Sequence, residues 1–138
     1  MRTIAEIIDH KRPLLLPMST CVTEACRKMR EMHVDSVLVT DNKQRLAGIF
    51  TGSDACRVLA DGMQAGDTTL ADVMTSDPDS TSPDQSAIEA MRLMWDGGFG
   101  HVPVVKGKQV LGVISRDDFA GSEEESFDRE RCLWEHMR

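Results

Sequence analysis

Gly48-Ile49-Phe50-Thr51-Gly52-Ser53-Asp54 and Gly112-Val113-Ile114-Ser115-Arg116-Asp117-Asp118 are one pattern written twice. In each, a glycine opens a short apolar stretch, a hydroxyl residue follows, and an aspartate stands three places later. Thr51 maps to Ser115 and Asp54 to Asp118 at an offset of 64. Working outward, Val22 to Met29 answers Ala87 to Met94 at 65, and Thr3 to Ile8 answers Thr69 to Met74 at 66. Single-residue gaps in loops absorb the drift. Two copies of one unit therefore fill nearly the whole chain, each about half the size of an independent domain. Residues 1–62 form the first unit, 63–67 a linker, 68–121 the second unit and 122–138 a C-terminal helix. Two such halves make one body with pseudo-two-fold symmetry and two related clefts.

Helical and extended patterns alternate within each unit. Val22, Ala25, Cys26 and Met29 recur at i, i+3, i+4 and i+7, as do Ala87, Ala90, Met91 and Met94. This is the stripe of a helix with one face on a core. Thr20 with Thr23-Glu24, and Ser82-Pro83-Asp84, supply helix starts. Ser36–Thr40 and His101–Val105 are short and rich in β-branched residues, and Leu46–Phe50 and Val110–Ile114 are their return strands. Pro103 inside a strand points to an edge or a special position. Each unit reads as short helix, strand, helix, two strands, helix, and the whole as α+β. In the tail, Ser122-Glu123-Glu124-Glu125 has the form of a capping box, and Phe127, Leu133, Trp134 and Met137 add apolar material.

Composition narrows the function. With 41% hydrophobic and 28% charged residues, the 138-residue chain is a soluble globular composition with a real core. A net charge of −7 argues against a nucleic-acid partner, which needs clustered Lys and Arg. No apolar run is long enough to span a bilayer. Met1-Arg2-Thr3-Ile4-Ala5-Glu6 acquires an acid at once, unlike a signal peptide, so the cytoplasm is the expected location. Cys21, Cys26, Cys56 and Cys132 form no CxxC pair and the histidines are scattered, so no metal site is expected. No nucleophile elbow, P-loop or H-E-x-x-H motif is present, and an enzyme is not expected.

The Thr51-x-x-Asp54 and Ser115-x-x-Asp118 pairs follow a strand and open a helix. They can be capping boxes and nothing more. They can also present backbone N–H groups and a hydroxyl to a phosphate, with the aspartate accepting from vicinal ribose hydroxyls.

Together these features resemble a tandem pair of CBS domains, the cystathionine-β-synthase regulatory repeats. The resemblance rests on the apolar-Gly-apolar-x-Thr/Ser-x-x-Asp ending, the His101-Val102-Pro103-Val104-Val105 strand, and the Ala-x-x-x-Met helices, over about residues 3–120. It implies two βαββα units packed through their sheets, with two clefts that bind adenosine-containing ligands: AMP, ADP, ATP, NAD or S-adenosylmethionine. By that resemblance Thr51 and Ser115 meet phosphate, and Asp54 and Asp118 meet ribose. Leu14-Leu15-Leu16, at the Asp54 cleft, and Asp79-Ser80-Thr81, at the Asp118 cleft, frame the base. His101, Val102, Pro103 and Arg116 are placed at the second site; His101 is either a phosphate contact or a surface or core-satisfied histidine, and Arg116 either neutralises phosphate or is a solvated arginine. His10-Lys11-Arg12 is either a solvated loop or a phosphate contact across the cleft. The implied function is a ligand-sensing module without a resident cofactor, a homodimer that signals to an effector protein. A scaffold with empty clefts is the alternative.

Overall fold

The computed structural model describes residues 2–9, 11–119 and, in the C-terminal segment, 123, 125, 127–129 and 131–133. His10, Ser122, Glu124, Trp134 and Met137, read above as loop, cap and tail anchors, lie outside the described residues.

In chain order the elements are α1 (Ile4–Ile8), β1 (Leu15–Pro17), α2 (Val22–Met32), β2 (Ser36–Thr40), β3 (Leu46–Thr51) and α3 (Gly52–Ala60). The second half supplies α4 (Leu70–Val73), β4 (Thr75–Ser76), α5 (Ala87–Gly97), β5 (His101–Lys106), β6 (Gln109–Ser115) and a 3-10 turn at Arg116–Asp118. β1 runs parallel to β2, and β2, β3 and β4 pair antiparallel in one four-stranded sheet. β5 and β6 pair antiparallel, with Thr81 bridging in parallel to Val104 on the far side of β5.

The architecture is the expected α+β pair of repeats, with one exchange. α1 lies in the first repeat by sequence but packs in the second core, where Ile4 and Ile7 join Ala87, Ala90, Met94, Val102 and Ile114. α4 does the converse: Leu70 and Val73 join Val22, Val37, Val39, Phe50 and Val58. The backbone repeats the exchange bond for bond. Ile4 N–H donates to Gln85 and Ala5 to Pro83, while Ala87 donates to Arg2. Sixty-odd residues away, Leu70 donates to Thr20, Ala71 to Met18 and Val22 to Thr68.

This exchange explains the glycine of the repeated motif. A Cβ on Gly48 would stand 2.5 Å from Met74 Sδ and 2.7 Å from the Thr75 carbonyl; on Gly112 it would stand 3.2 Å from Ile8 Cβ. Each glycine lets the segment entering the other repeat lie against the strand.

Several local expectations need correction. Cys21, not Thr20, precedes α2, and Ser86, not Ser82, caps α5 through the Glu89 N–H. Cys21 makes no side-chain cap bond, its sulfur being a weak acceptor, and the Val22 and Thr23 N–H groups donate instead to the Thr68 and Ala65 carbonyls. Ser82 instead bonds Asp84 in a local turn. Asp79-Ser80-Thr81 is no strand, only the single bridge at Thr81. Pro103 is not on an edge. β5 is bonded on both flanks, and the Pro103 carbonyl accepts the Thr81 N–H as one of the two bonds of the bridge to Val104. The Ser115 motif opens a 3-10 turn rather than a longer helix, because Phe119 turns extended and packs on the second core. In the tail, the described residues between 123 and 133 are helical, and Phe127 is buried with its ring 6.3 Å edge-on from Trp95.

Candidate functional site

Each repeated motif ends a central strand beside a cleft. At the first, the Asp54 carboxylate accepts the Thr51 N–H at 2.9 Å and the Thr51 hydroxyl at 3.3 Å. Its other oxygen is 2.8 Å from an Arg57 guanidinium nitrogen, which also donates to the Val73 carbonyl. At the second, Asp118 accepts the Ser115 N–H at 2.7 Å and its hydroxyl at 3.3 Å. Here the cation is Lys11, whose Nζ lies 2.5 Å from Asp118 Oδ2. Behind it, Arg2 donates to the Asp118 carbonyl and to Glu123, a bond that raises the Arg2 pKa further. The residue after each hydroxyl also matches: Gly52 N–H donates to Asp35 and Arg116 N–H to Gly100, both at 3.2 Å.

The Thr51 cleft encloses about 420 Å³ between Ile49, Asp54, Pro78, Asp79, Phe99 and His101. The Ser115 cleft encloses about 200 Å³ between Lys11, Arg12, Leu14, Val34, Ser36 and Val113. Strand register makes these linings equivalent. Leu16 bridges Val39 as Thr81 bridges Val104, so Pro13 matches Pro78 and Leu14 matches Asp79. His101 lines both clefts. Its Nε2 is buried, 3.0 Å from Asp35 Oδ1 but out of line for a hydrogen bond.

Thr51 and Asp54 come together in one cleft, and Ser115 lines the other with Asp118 hydrogen-bonded to it. The base-framing segments are exchanged. Leu14 lines the Ser115 cleft and Asp79 the Thr51 cleft, the reverse of the expectation. The cause is the exchange of α1 and α4, since β4 pairs with β3 and carries Pro78 and Asp79 past Thr51. Leu16 packs on the first core, and Val102 and Pro103 are buried in the second half, away from both cavities. Ser80 lines a separate outer groove with Thr81 and Arg92. Arg116 turns outward, where its guanidinium donates to the Phe99 carbonyl beside Trp95 and Phe127.

Asp35, Ile49, Pro78 and Phe99 were missed. Phe99 could have been found from the repeat alone, because it occupies the position of Val34 just before a strand. Lys11 carried a signal as part of the one tight basic cluster. Its partner Asp118, 107 residues on, was not readable. Among the described residues, no three His, Cys, Asp or Glu side chains gather to hold a metal ion, and no helix is long and apolar enough to cross a membrane.

Comparisons with known proteins agree with this architecture. The CBS domain profile matches residues 4–61 and 70–124. The CBS domain-containing protein CBSCBSPB3 of Arabidopsis thaliana is 38% identical over 114 residues, which are 82% of this chain and 20% of that protein. The chain thus spans about a fifth of the length of such curated relatives. Among solved structures, the CBS domain protein PAE2072 from Pyrobaculum aerophilum, complexed with AMP, superposes with a TM-score of 0.83 at 20% identity. The superposition covers 93% of this chain and 99% of that one. The CBS domain pair of protein MJ0100, in complex with 5′-methylthioadenosine and S-adenosylmethionine, superposes at 0.77 with 21% identity, over 85% and 95% of the two chains. At those identities the likeness establishes the fold, and the ligands are those proteins' own. With both repeats matched over most of its length, and with exchanged entry helices and paired clefts built on its repeated motif, this chain belongs to the CBS domain family.

Proposed function

We propose that the chain is a regulatory module that binds an adenosine-containing ligand, such as AMP, ADP, ATP, NAD or S-adenosylmethionine, in the clefts between its repeats. The observation that carries this reading is the duplicated hydroxyl–carboxylate pair, each at the end of a central strand and beside a cavity. A carboxylate has about four acceptor sites, so once the Thr51 or Ser115 hydroxyl turns to the ligand, Asp54 or Asp118 can keep its backbone N–H and basic partner and still accept from two vicinal ribose hydroxyls. Thr51 and Ser115 offer hydroxyls to phosphate, and Ile49, Phe99, Leu14 and Val113 offer apolar walls to a base. The ligands of PAE2072 and MJ0100 support the adenosine class.

The module acts in the cytoplasm as a sensor rather than a catalyst, and passes a change in repeat packing to an effector protein. Such a switch needs different ligand affinity in the two packings. It works as a homodimer, a reading supported by the exposed apolar surface of Trp95 and Leu133 near the tail. Truncation after Gly121 tests the dimer: light scattering should report a weaker dimer, and an equally tight one excludes the tail.

Thermal unfolding tests the central reading. At a hundredfold its dissociation constant a ligand should add about 2.7 kcal/mol of stability. No stabilisation by any adenosine compound would leave a scaffold with empty clefts.

A further inference from the structure

The two clefts share a backbone and differ in charge. Asp35, Asp54 and Asp79 line the Thr51 cleft, and among the described residues no Lys or Arg lines it. The cation nearest its carboxylate, Arg57, donates to Asp54 at 2.8 Å and to the Val73 carbonyl at 3.1 Å, and is not part of the lining. The Ser115 cleft has Lys11 and Arg12 instead, and Leu14 at the position of Asp79. Lys11 neutralises Asp118 there, and exposed Arg12 has no ion pair among the described residues. Asp35 and His101 line both clefts, so neither separates them.

A phosphate carries one to two negative charges at neutral pH. Placed in the Thr51 cleft it meets Asp79 and Asp35 with no lining cation to offset them. Placed beside two cations it gains charge-assisted hydrogen bonds. The hydroxyl–carboxylate pair that meets ribose is the same in both clefts, so the charge that lines them discriminates the group on the 5′ side.

We infer that the clefts sort adenosine ligands by charge: the Ser115 cleft seats the phosphorylated one, and the Thr51 cleft seats one with the same base and ribose but no phosphate. This rests on the adenosine reading above. It adds that the duplicated motif serves two chemically different ligands, with Lys11 and Arg12 as the phosphate partners and Asp79, at the wall position of Leu14, adding negative charge to the cleft without them.

Calorimetry with AMP and 5′-methylthioadenosine tests it, because the two share base and ribose. Wild-type chain should take one AMP. Arg12→Met should weaken AMP about fivefold, and Lys11→Met about tenfold or more. Both should leave 5′-methylthioadenosine within about twofold. Salt well above about 0.1 M should weaken AMP alone. Asp79→Leu, which copies Leu14, should raise the AMP stoichiometry toward two sites. Arg12 is exposed and unpaired, so its replacement keeps the measurement valid even if Lys11→Met disturbs folding. If both ligands bind and neither Arg12→Met nor Lys11→Met separates them, the sorting is wrong and the adenosine reading stands. If neither ligand binds the wild-type chain, the adenosine reading falls and takes the sorting with it.

Discussion

In the first cleft, Asp54 is paired with Arg57, three residues along its own helix; in the second, Asp118 is paired with Lys11, 107 residues away. The hydroxyl–carboxylate cap is the same in both, to within a few tenths of an ångström. What differs is everything that arrives from elsewhere in the chain. Leu14 faces one cavity and Asp79 the other, and the charged lining is basic in one and acidic in the other. A cap needs four consecutive residues, so duplication carries it intact. The far wall comes from the segment entering the other repeat, whose sequence is free to drift once its helix is anchored. The symmetry is therefore strictest at the anchors and loosest at the cleft walls.

The largest effect should come from those anchors. Ile4 and Leu70 are fully buried at equivalent positions, so Ile4→Ala and Leu70→Ala should each cost about 2–5 kcal/mol in urea unfolding. Hydrogen exchange sharpens this. Ile4→Ala should loosen β5 and β6 more than β2 and β3, and Leu70→Ala the reverse. Loosening confined to each residue's own repeat would break the exchange.

Next come the aspartates. Asp54→Ala and Asp118→Ala should each cost about 1.5–3 kcal/mol of affinity, the worth of charge-assisted hydrogen bonds. Titrations should show Asp118→Ala weakening AMP and Asp54→Ala weakening 5′-methylthioadenosine. Loss of neither would return both pairs to the role of caps.

The motif glycines should differ in degree. Gly48→Ala meets a backbone carbonyl at 2.7 Å and should destabilise by about 1–3 kcal/mol, read from the denaturation midpoint. Gly112→Ala meets only the Ile8 side chain at 3.2 Å and should cost about 1 kcal/mol or less. Equal costs would mean the entry segments press on the two strands alike.

The smallest effect belongs to the hydroxyls. Thr51→Val and Ser115→Ala should each lose about 1 kcal/mol of stability with the cap. Only Ser115→Ala should also weaken AMP relative to 5′-methylthioadenosine, and an identical AMP response from Thr51→Val would contradict different ligands in the two clefts.

Much of the fold was legible because its signals are local. The spacing of Val22, Ala25 and Met29, and of Ala87, Ala90 and Met94, placed both long helices. β2 spans Ser36–Thr40, the bounds read from its short apolar, β-branched-rich stretch. Of the site, Thr51, Asp54, Ser115 and Asp118 were legible because the motif repeats. Val102 was not separable from His101 by motif, but the strand's alternation sends His101 toward the clefts and Val102 into the core. Arg116 lies inside the motif and still leaves the site, because the Phe99 carbonyl captures its guanidinium outside the cleft.

By itself the sequence determined the duplication, the two long helices, the two hairpins, the α+β class and the four residues of the two caps. These follow from spacing within a few turns or one strand pair, where side-chain period and capping chemistry act without help. Only the tertiary structure decided which core each entry helix joins, and hence which wall each cleft receives. α1 and α4 carry the same apolar pattern, and either core offers a groove to fit it. Nothing within five residues can specify which one. The choice is made by the whole assembly, where crossing over lets β4 extend the first sheet and brings Lys11 to Asp118.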